Sequence, residues 1–240
     1  MLYGVILAAG ASTRYNYKIK KQFIKIKDKP IFEYSVEKFL KIKEIDKILL
    51  VISKNDIRSN IIKSFLKKYN NYILKNKITL VVGGKERYHS VYNAISYINE
   101  SSNIKNDDYI IIHDSARPNT NVNDIKTLIK NLKKYKAISL SYKINDTIKK
   151  IAKESKSINT IIKTINRDEY ILMSTPQGFN LKILYNAYNR FINQSNKDII
   201  TDDLQIIEKY TKIKPRAILC SQPNIKITTK NDLSVLKYLL

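Results

Sequence analysis

The chain is expected to fold as an α/β protein whose mostly parallel sheet carries helices on both faces. Short apolar runs recur along its 240 residues, each followed by an amphipathic stretch. Several of those runs end in glycine or polar residues, as strands do when they stop at a ligand-binding edge. Alternating strands and helices of this kind build parallel sheets through right-handed crossovers.

The first strand is expected at residues 5–8, where Val5, Ile6 and Leu7 run into Ala8, Ala9 and Gly10. A helix at 31–40 places Phe32, Val36, Phe39 and Leu40 on one face. The run at 45–52 is apolar almost throughout, which suits a strand buried on both faces. A helix at 56–69 carries Ile57, Ile61, Phe65 and Tyr69 at four-residue spacing, and a strand at 78–82 ends in Gly83 and Gly84. A helix at 90–98, a strand at 109–112 ending in His113 and Asp114, a helix at 122–132 and a strand at 137–140 complete the regular part.

From 142 to 164 the rhythm changes. Two β-rich pieces, near 147–151 and 160–165, flank a polar link and are expected to project as a hairpin. Helices at 181–191 and 201–210 follow, the second opened by Thr201-Asp202-Asp203. Strands near Ala217 and at 224–228 precede a last helix capped at Thr229 or Asn231 and running to 240. One domain over 1–240, with an arm at about 142–165, accounts for this pattern.

The formal charge of +23 invites a nucleic-acid reading, but the lysines are spread along the chain and form no basic tail, zinc-finger spacing or aromatic RNA-binding motif. No specific nucleic-acid partner is expected. No apolar run reaches membrane-spanning length, and the first strand begins too early to leave room for a signal peptide. The single cysteine, Cys220, allows no internal disulfide, so a reduced, cytoplasmic setting is expected. Arginine is scarce. Of seven, Arg14, Arg87, Arg117 and Arg167 lie in the motifs below, where a planar guanidinium suits multidentate contacts that lysine cannot make.

The stretch from Gly4 to Gln22 joins a buried strand to a loop bearing Arg14, Lys20 and Lys21. Small residues leave the backbone N–H groups open, and the cations beyond them suit a chain of phosphates. The same residues also suit a plain turn. Gly83 and Gly84 permit close backbone approach, and Ser90 at the next helix start can donate to a base or phosphate or simply cap the helix. Asp114 is the candidate carboxylate for Mg²⁺, which takes one or two carboxylates and fills its other positions with phosphates and water. It equally suits a salt bridge to Arg117. His113 and His89 are expected to be structural, and Cys220 a buried small side chain with nothing nearby to activate it.

Nine segments now stand in one order: AAGASTR, KKQF, GGKERYHSV, HDSARP, NDTIK, TINRD, TPQGF, TDD and NIKITT. Together they resemble the methylerythritol-phosphate cytidylyltransferases of the non-mevalonate isoprenoid pathway. The resemblance implies a Rossmann-like (GT-A-like) nucleotidyltransferase fold, a homodimer, Mg²⁺, and transfer of CMP from CTP to a sugar-alcohol phosphate with release of pyrophosphate. It implies nucleotide contacts at Ala8, Ala9, Gly10, Arg14 and Lys21, base contacts at Gly84 and Ser90, and a metal-side aspartate at Asp114 beside Ser115. Acceptor-phosphate contacts are implied at Arg117, Thr147, Arg167, Thr175 and Lys226, with Arg14, Lys21, Arg167 and Lys226 as the catalytic cations. The chain departs from the family pattern at several places. Ser12 stands for the usual second glycine, Lys20 for a proline, Lys85 and His89 for acidic residues, and residues 220–223 for a segment with glycine.

Two other readings share parts of this pattern. Ribitol-5-phosphate cytidylyltransferases of cell-wall polymer synthesis carry most of the motifs, although AAG and Ala116 lean toward the first family. A non-enzymatic, basic polyanion binder on an old fold would have lost Arg14, Lys21 or Asp114, and all three are present.

Overall fold

Strand β1 (Leu2–Leu7) shows how the sequence divides itself between two cores. Leu2 and Ile6 face one apolar cluster while Tyr3 and Val5 face the other, the period of two that a strand imposes. The computed structural model describes residues 1–12, 19–153, 158–194, 199–222 and 224–239. After a short hairpin, β2 (Lys25–Ile26) and β3 (Lys29–Pro30), come α1 (Ile31–Leu40), β4 (Lys47–Ile52), α2 (Asn60–Lys68), α3 (Asn70–Leu74) and β5 (Ile78–Val82). Helix α4 (Arg87–Ser102), β6 (Tyr109–Asp114), α5 (Val122–Tyr135) and β7 (Ala137–Lys143) follow. The arm is β8 (Ile148–Lys153) with β9 (Asn159–Ile165), and the chain closes with β10 (Ile171–Asn180), α6 (Leu181–Ile192), α7 (Asp203–Tyr210), β11 (Arg216–Leu219) and α8 (Lys230–Leu239).

Seven strands form one sheet in the order β11-β7-β10-β6-β1-β4-β5. Neighbours are parallel except at β10, which runs antiparallel between β6 and β7. Side chains of α1, α2 and α5 pack on one face, among them Phe32, Phe65 and Leu128, and those of α4, α6 and α7 on the other, among them Ile95, Phe191 and Ile207. Caps define the ends: Ser59 accepts from the N–H of Ile62, Asn180 from Ile183 and Asp202 from Gln205. Among the described residues no helix is long and apolar enough to cross a membrane.

Besides the small additions β2, β3 and α3, three elements differ from the expectation. β10 was not anticipated, because Pro176 and Gly178 in TPQGF argue against a central strand. The pairing with β7 shifts register between Met173 and Gln177, so Pro176 falls where the ladder asks for no N–H. Gly178 is needed for space, since a Cβ there would lie 2.7 Å from the Leu128 side chain. Residues 224–228, expected as a strand, form a loop instead. There the N–H of Ile227 bonds the carbonyl of Ala116, and Asn224 is tied by its side chain rather than by a ladder. Helix α2 begins at Asn60 rather than at residue 56, because Ser59 caps it and Asp56 turns away to Lys20.

The sheet is also held by a close approach at Gly4. A Cβ on Gly4 would lie 2.6 Å from the ring of Phe39, which is fully buried. Gly4→Val is therefore expected to lower unfolding free energy by about 1–3 kcal/mol, the usual cost of overpacking a core. A urea titration with an unchanged slope and a lower midpoint would show it; a wild-type midpoint would mean the ring gives way freely.

Candidate active site

The carboxyl ends of β1 and β6 and the turn after β5 open onto a cleft of about 540 Å³, within the range of small-molecule sites. Its floor is backbone: Ala8, Ala9 and Gly10 leave β1 with no bulky side chain, and a Cβ added at Gly10 would meet nothing. Gln22, almost wholly buried, fastens this turn by giving its amide to the carbonyls of Ala8 and Gly10, both at 2.9 Å. Ser12 holds the next corner at φ 58°, a conformation costing an L residue about 1–2 kcal/mol. Its hydroxyl offsets that cost, accepting from the N–H of Lys21 and donating to the Gln22 side-chain oxygen, each at 3.1 Å. A serine can thus stand where glycine would be the unstrained choice.

Residues 13–18 lie outside the described residues, and the expected phosphate contact at Arg14 lies there. Lys21 opens a short 3₁₀ turn (Lys21–Phe23) rather than lying free in a solvated loop. Its Nζ reaches the carbonyl of Ile227 at 2.9 Å, joining the first loop to the segment before α8. Lys20, in the proline's place, pairs with Asp56 at 2.5 Å and anchors the far side of the loop beside β4.

Gly83 and Gly84 form the opposite wall. A Cβ at Gly83 would lie 2.4 Å from that of Ala9, and one at Gly84 2.3 Å from that of His89. These glycines are a packing requirement, with both φ angles in the ordinary region. The N–H of Gly84 bonds Ser90 Oγ at 3.1 Å, so Ser90 orders the wall as well as lining the cleft. His89 completes a capping box with Glu86, taking the place an acidic side chain would fill, and the exposed Lys85 stands at the cleft's edge.

The electrostatic centre is Asp114, at the end of β6. Arg87 Nε donates to its Oδ1 at 3.2 Å and Lys226 Nζ to its Oδ2 at 2.5 Å. Arg87 Nη2 also bonds Asp203 Oδ2 at 2.8 Å, and Tyr188 gives its hydroxyl to Asp203 Oδ1 at 2.5 Å. Burial alone would raise the pKa of Asp114. The attraction of Arg87, then of Lys226, outweighs it and holds the carboxyl well below the usual carboxylate range. Asp114 is thus ionised, paired with Arg87 and Lys226 rather than with Arg117. Among the described residues no group of three His, Cys, Asp or Glu gathers as a metal cage. One ionised carboxylate at the cleft does fit Mg²⁺ carried in with a nucleotide, whose phosphates supply further ligands.

Ser115 and Lys226 line the same cleft; the other residues expected at the acceptor do not. Arg117 gives Nη1 to the carbonyl of Asn224 at 2.8 Å and lines a neighbouring depression of about 650 Å³ that shares Lys226 with the cleft. Thr175 is buried, its hydroxyl 2.9 Å from His113 Nδ1 and accepting from the N–H of Asp114 at 3.2 Å. Thr147 and Arg167 are exposed at the foot of the arm, where Arg167 bonds the carbonyl of Asn145. Sequence reasoning missed Gln22, Asp203, Tyr188 and Asn224. The adjacent aspartates of TDD were read as a helix start and as one of the nine segments, with no role given to either, and the side chain of Asp203 turns to Arg87.

The sequence model of the 2-C-methyl-D-erythritol 4-phosphate cytidylyltransferase family matches residues 2–240. The chain belongs to this family. A Clostridium tetani enzyme of that name is 38% identical over 231 residues, covering 95% of this chain and 86% of the relative. One from Clostridium kluyveri is 36% identical, covering 97% and 94%. Among solved structures, the 4-diphosphocytidyl-2C-methyl-D-erythritol synthase of Anaerococcus prevotii superposes with a TM-score of 0.80 at 29% identity, covering 99% of this chain and 94% of that one. The Francisella tularensis 2-C-methyl-D-erythritol 4-phosphate cytidylyltransferase gives 0.74 at 31% identity, covering 100% and 99%. The family membership and these likenesses bear out the α/β nucleotidyltransferase fold and favour the methylerythritol reading over the ribitol and polyanion-binding ones.

His113 beside the site is packed, as expected, between Thr175, Thr120 and the Phe39 ring. Burial is the main cause that lowers its pKa from 6.5 to about 3. A histidine with a depressed folded pKa contributes stability fully above the unfolded value and loses it as pH falls from 6.5 toward 3. In a proton NMR titration of the folded enzyme, the His113 imidazole is expected to stay neutral through pH 5, about two units above its folded pKa. A midpoint near pH 6 to 7, about that of a free imidazole, would contradict this burial.

Proposed function

We infer that the cleft binds CTP and transfers its CMP group to 2-C-methyl-D-erythritol 4-phosphate, releasing pyrophosphate. The observation that carries this reading is the convergence of Lys21, Lys226 and an ionised Asp114 on a backbone-floored cleft, in a chain of this family. An acceptor phosphate oxygen attacks the α-phosphorus of CTP. The new P–O bond forms as the bond to the bridging oxygen breaks, and the electron pair leaves on pyrophosphate. The acceptor phosphate is already ionised near neutral pH, so no general base is required. Catalysis is then alignment and charge neutralisation. Lys21 and Arg14 offset the charge on the nucleotide phosphates, and Lys226, released from Asp114, turns toward the acceptor phosphate. Mg²⁺ held by Asp114 and the nucleotide would withdraw charge from the phosphates. The reading places the enzyme, a single nucleotidyltransferase domain, in the cytoplasm.

Incubating the protein with CTP and Mg²⁺ tests the reading directly. Pyrophosphate should appear with methylerythritol 4-phosphate and not with ribitol 5-phosphate. Arg14→Ala or Lys21→Ala should lower kcat by at least about 100-fold, the scale of one lost charge-stabilising donor. Near-normal turnover in either variant would sink the assignment.

The arm supports a second part of the reading, a homodimer whose sites are shared. An isolated two-stranded ribbon is marginal in water, and this one leaves Ile151, Ile158, Ile161 and Ile162 exposed. In a two-fold dimer the arm crosses to the partner, bringing Thr147 and Arg167 to the other subunit's acceptor site. Co-expression of Asp114→Ala with Arg167→Ala, each inactive alone, is the test. Random pairing should restore about a quarter of normal activity through the one intact site in each mixed dimer. No rescue, with mixed dimers shown to be present, would refute the exchange.

A further inference from the structure

Asp203 is fully buried and belongs to no wall of the cleft, yet it is joined to Asp114 through a single side chain. Arg87 presents its Nε and Nη2 groups along one edge of the guanidinium, an edge that ordinarily grips one carboxylate with two bonds. Here the edge is divided. Nε serves Asp114 Oδ1 at 3.2 Å, and Nη2 serves Asp203 Oδ2 at 2.8 Å. The shorter bond goes to Asp203, whose other oxygen is fixed by Tyr188 at 2.5 Å. Asp203 is also held by its backbone, its N–H bonding Gln177 Oε1 at 3.1 Å in β10.

We propose that Asp203 is a positioning residue of the active site, holding Arg87 away from full engagement so that Asp114 keeps Oδ2 for the cleft. Arg87 then supplies charge and one bond, while Lys226, alone on Oδ2 among the described residues and one-third exposed, is the group that can leave when substrate arrives. Without Asp203 the freed edge of Arg87 would close on both oxygens of Asp114. Lys226 would be displaced, and the carboxylate would be spent on a buried pair instead of on Mg²⁺ and the nucleotide. Partners one step removed from a metal-binding carboxylate commonly change metal affinity or activity by about 10–100-fold.

The proposal rests on the cytidylyl-transfer reading for its consequences, but not for its geometry. A crystal structure of Asp203→Asn, which needs no substrate, is expected to show Arg87 giving both Nε and Nη2 to Asp114, with Lys226 off Oδ2. An unmoved Arg87 with Lys226 still in place would overturn the proposal, whatever reaction the enzyme performs. In solution, calorimetry of CTP binding with and without Mg²⁺ should show the metal's enhancement reduced by about tenfold or more, with metal-free binding unchanged. In turnover at a fixed Mg²⁺ concentration, kcat/KM for CTP should fall by a similar factor, with KM rising as Mg²⁺-supported CTP binding weakens. Since Asp203 acts through Arg87, Asp203→Asn added to Arg87→Gln should cost nothing further. Additive losses, or a lower Tm with wild-type kcat and Mg²⁺ dependence, would show a merely structural role. If Asp203→Asn does not fold, Tyr188→Phe removes one tether of Asp203 and should shift the same quantities in the same direction by a smaller factor. Unchanged values there would also count against the proposal.

Discussion

A carboxylate taken out of water at the end of β6 is the constraint on which the site depends. Burying Asp114 is costly unless paired cations meet it with good geometry, and removing one partner from such a pair leaves an uncompensated charge. Arg87 comes from the first turn of α4 and Lys226 from the segment before α8, with Asp203 and Tyr188 from α7 and α6 behind Arg87. Two acidic and two basic groups balance, so the closed arrangement is neutral before any ligand enters. The network also explains why elements far apart in the chain must meet at one strand end. Four of them contribute a charge that the others could not leave buried alone, and α6 adds the Tyr188 hydroxyl that fixes Asp203.

Around that centre the walls are made by subtraction. Ala8 to Gly10 and Gly83 to Gly84 hold side-chain volume out of the cleft, and the clashes a Cβ would meet at Gly83 and Gly84 show how closely the two turns approach. A backbone surface has little rigidity of its own. Gln22 and Ser12 supply it, linking the first loop to the 3₁₀ turn behind it through four hydrogen bonds. Lys21 then extends the link to Ile227. The loop that floors the cleft at residues 8–12 is in this way stiffened from below.

Much of this was legible in the sequence. The parallel strands announced themselves as apolar runs, and their ends as the place for ligands, because burial on both faces leaves little other choice of residue. What was not legible turned on partners distant in the chain. Nothing local tells that Asp203 turns inward to Arg87 rather than out to water, or that Asn224 spends its polar groups on Ser174, Thr175 and Thr120 instead of joining a strand. β10 was hidden for the opposite reason. Its local signals were strong and pointed to a turn, and only the register shift around Pro176 makes them compatible with a central strand. The arm was recognised because it broke the rhythm, and within one subunit Thr147 and Arg167 lie exposed at its foot, away from the cleft.

The scarcity of arginine ties composition to mechanism. Lysine serves this chain at most positions where a cation faces water, so a guanidinium at the site stands out for its geometry rather than its charge. At position 87 charge is not the only task. An ammonium is a point donor on a flexible stem, free to move toward whichever carboxylate is more favourable at the moment. A guanidinium divided between Asp114 and Asp203 fixes both at a set separation, because its donors lie in one rigid plane. Lys226 meets the opposite requirement: it gives one hydrogen bond to Asp114, is partly exposed, and can rotate away. The two cations on Asp114 are therefore not equivalent. The rigid one keeps the carboxylate in place, and the flexible one is the partner that our proposal has yield it to substrate.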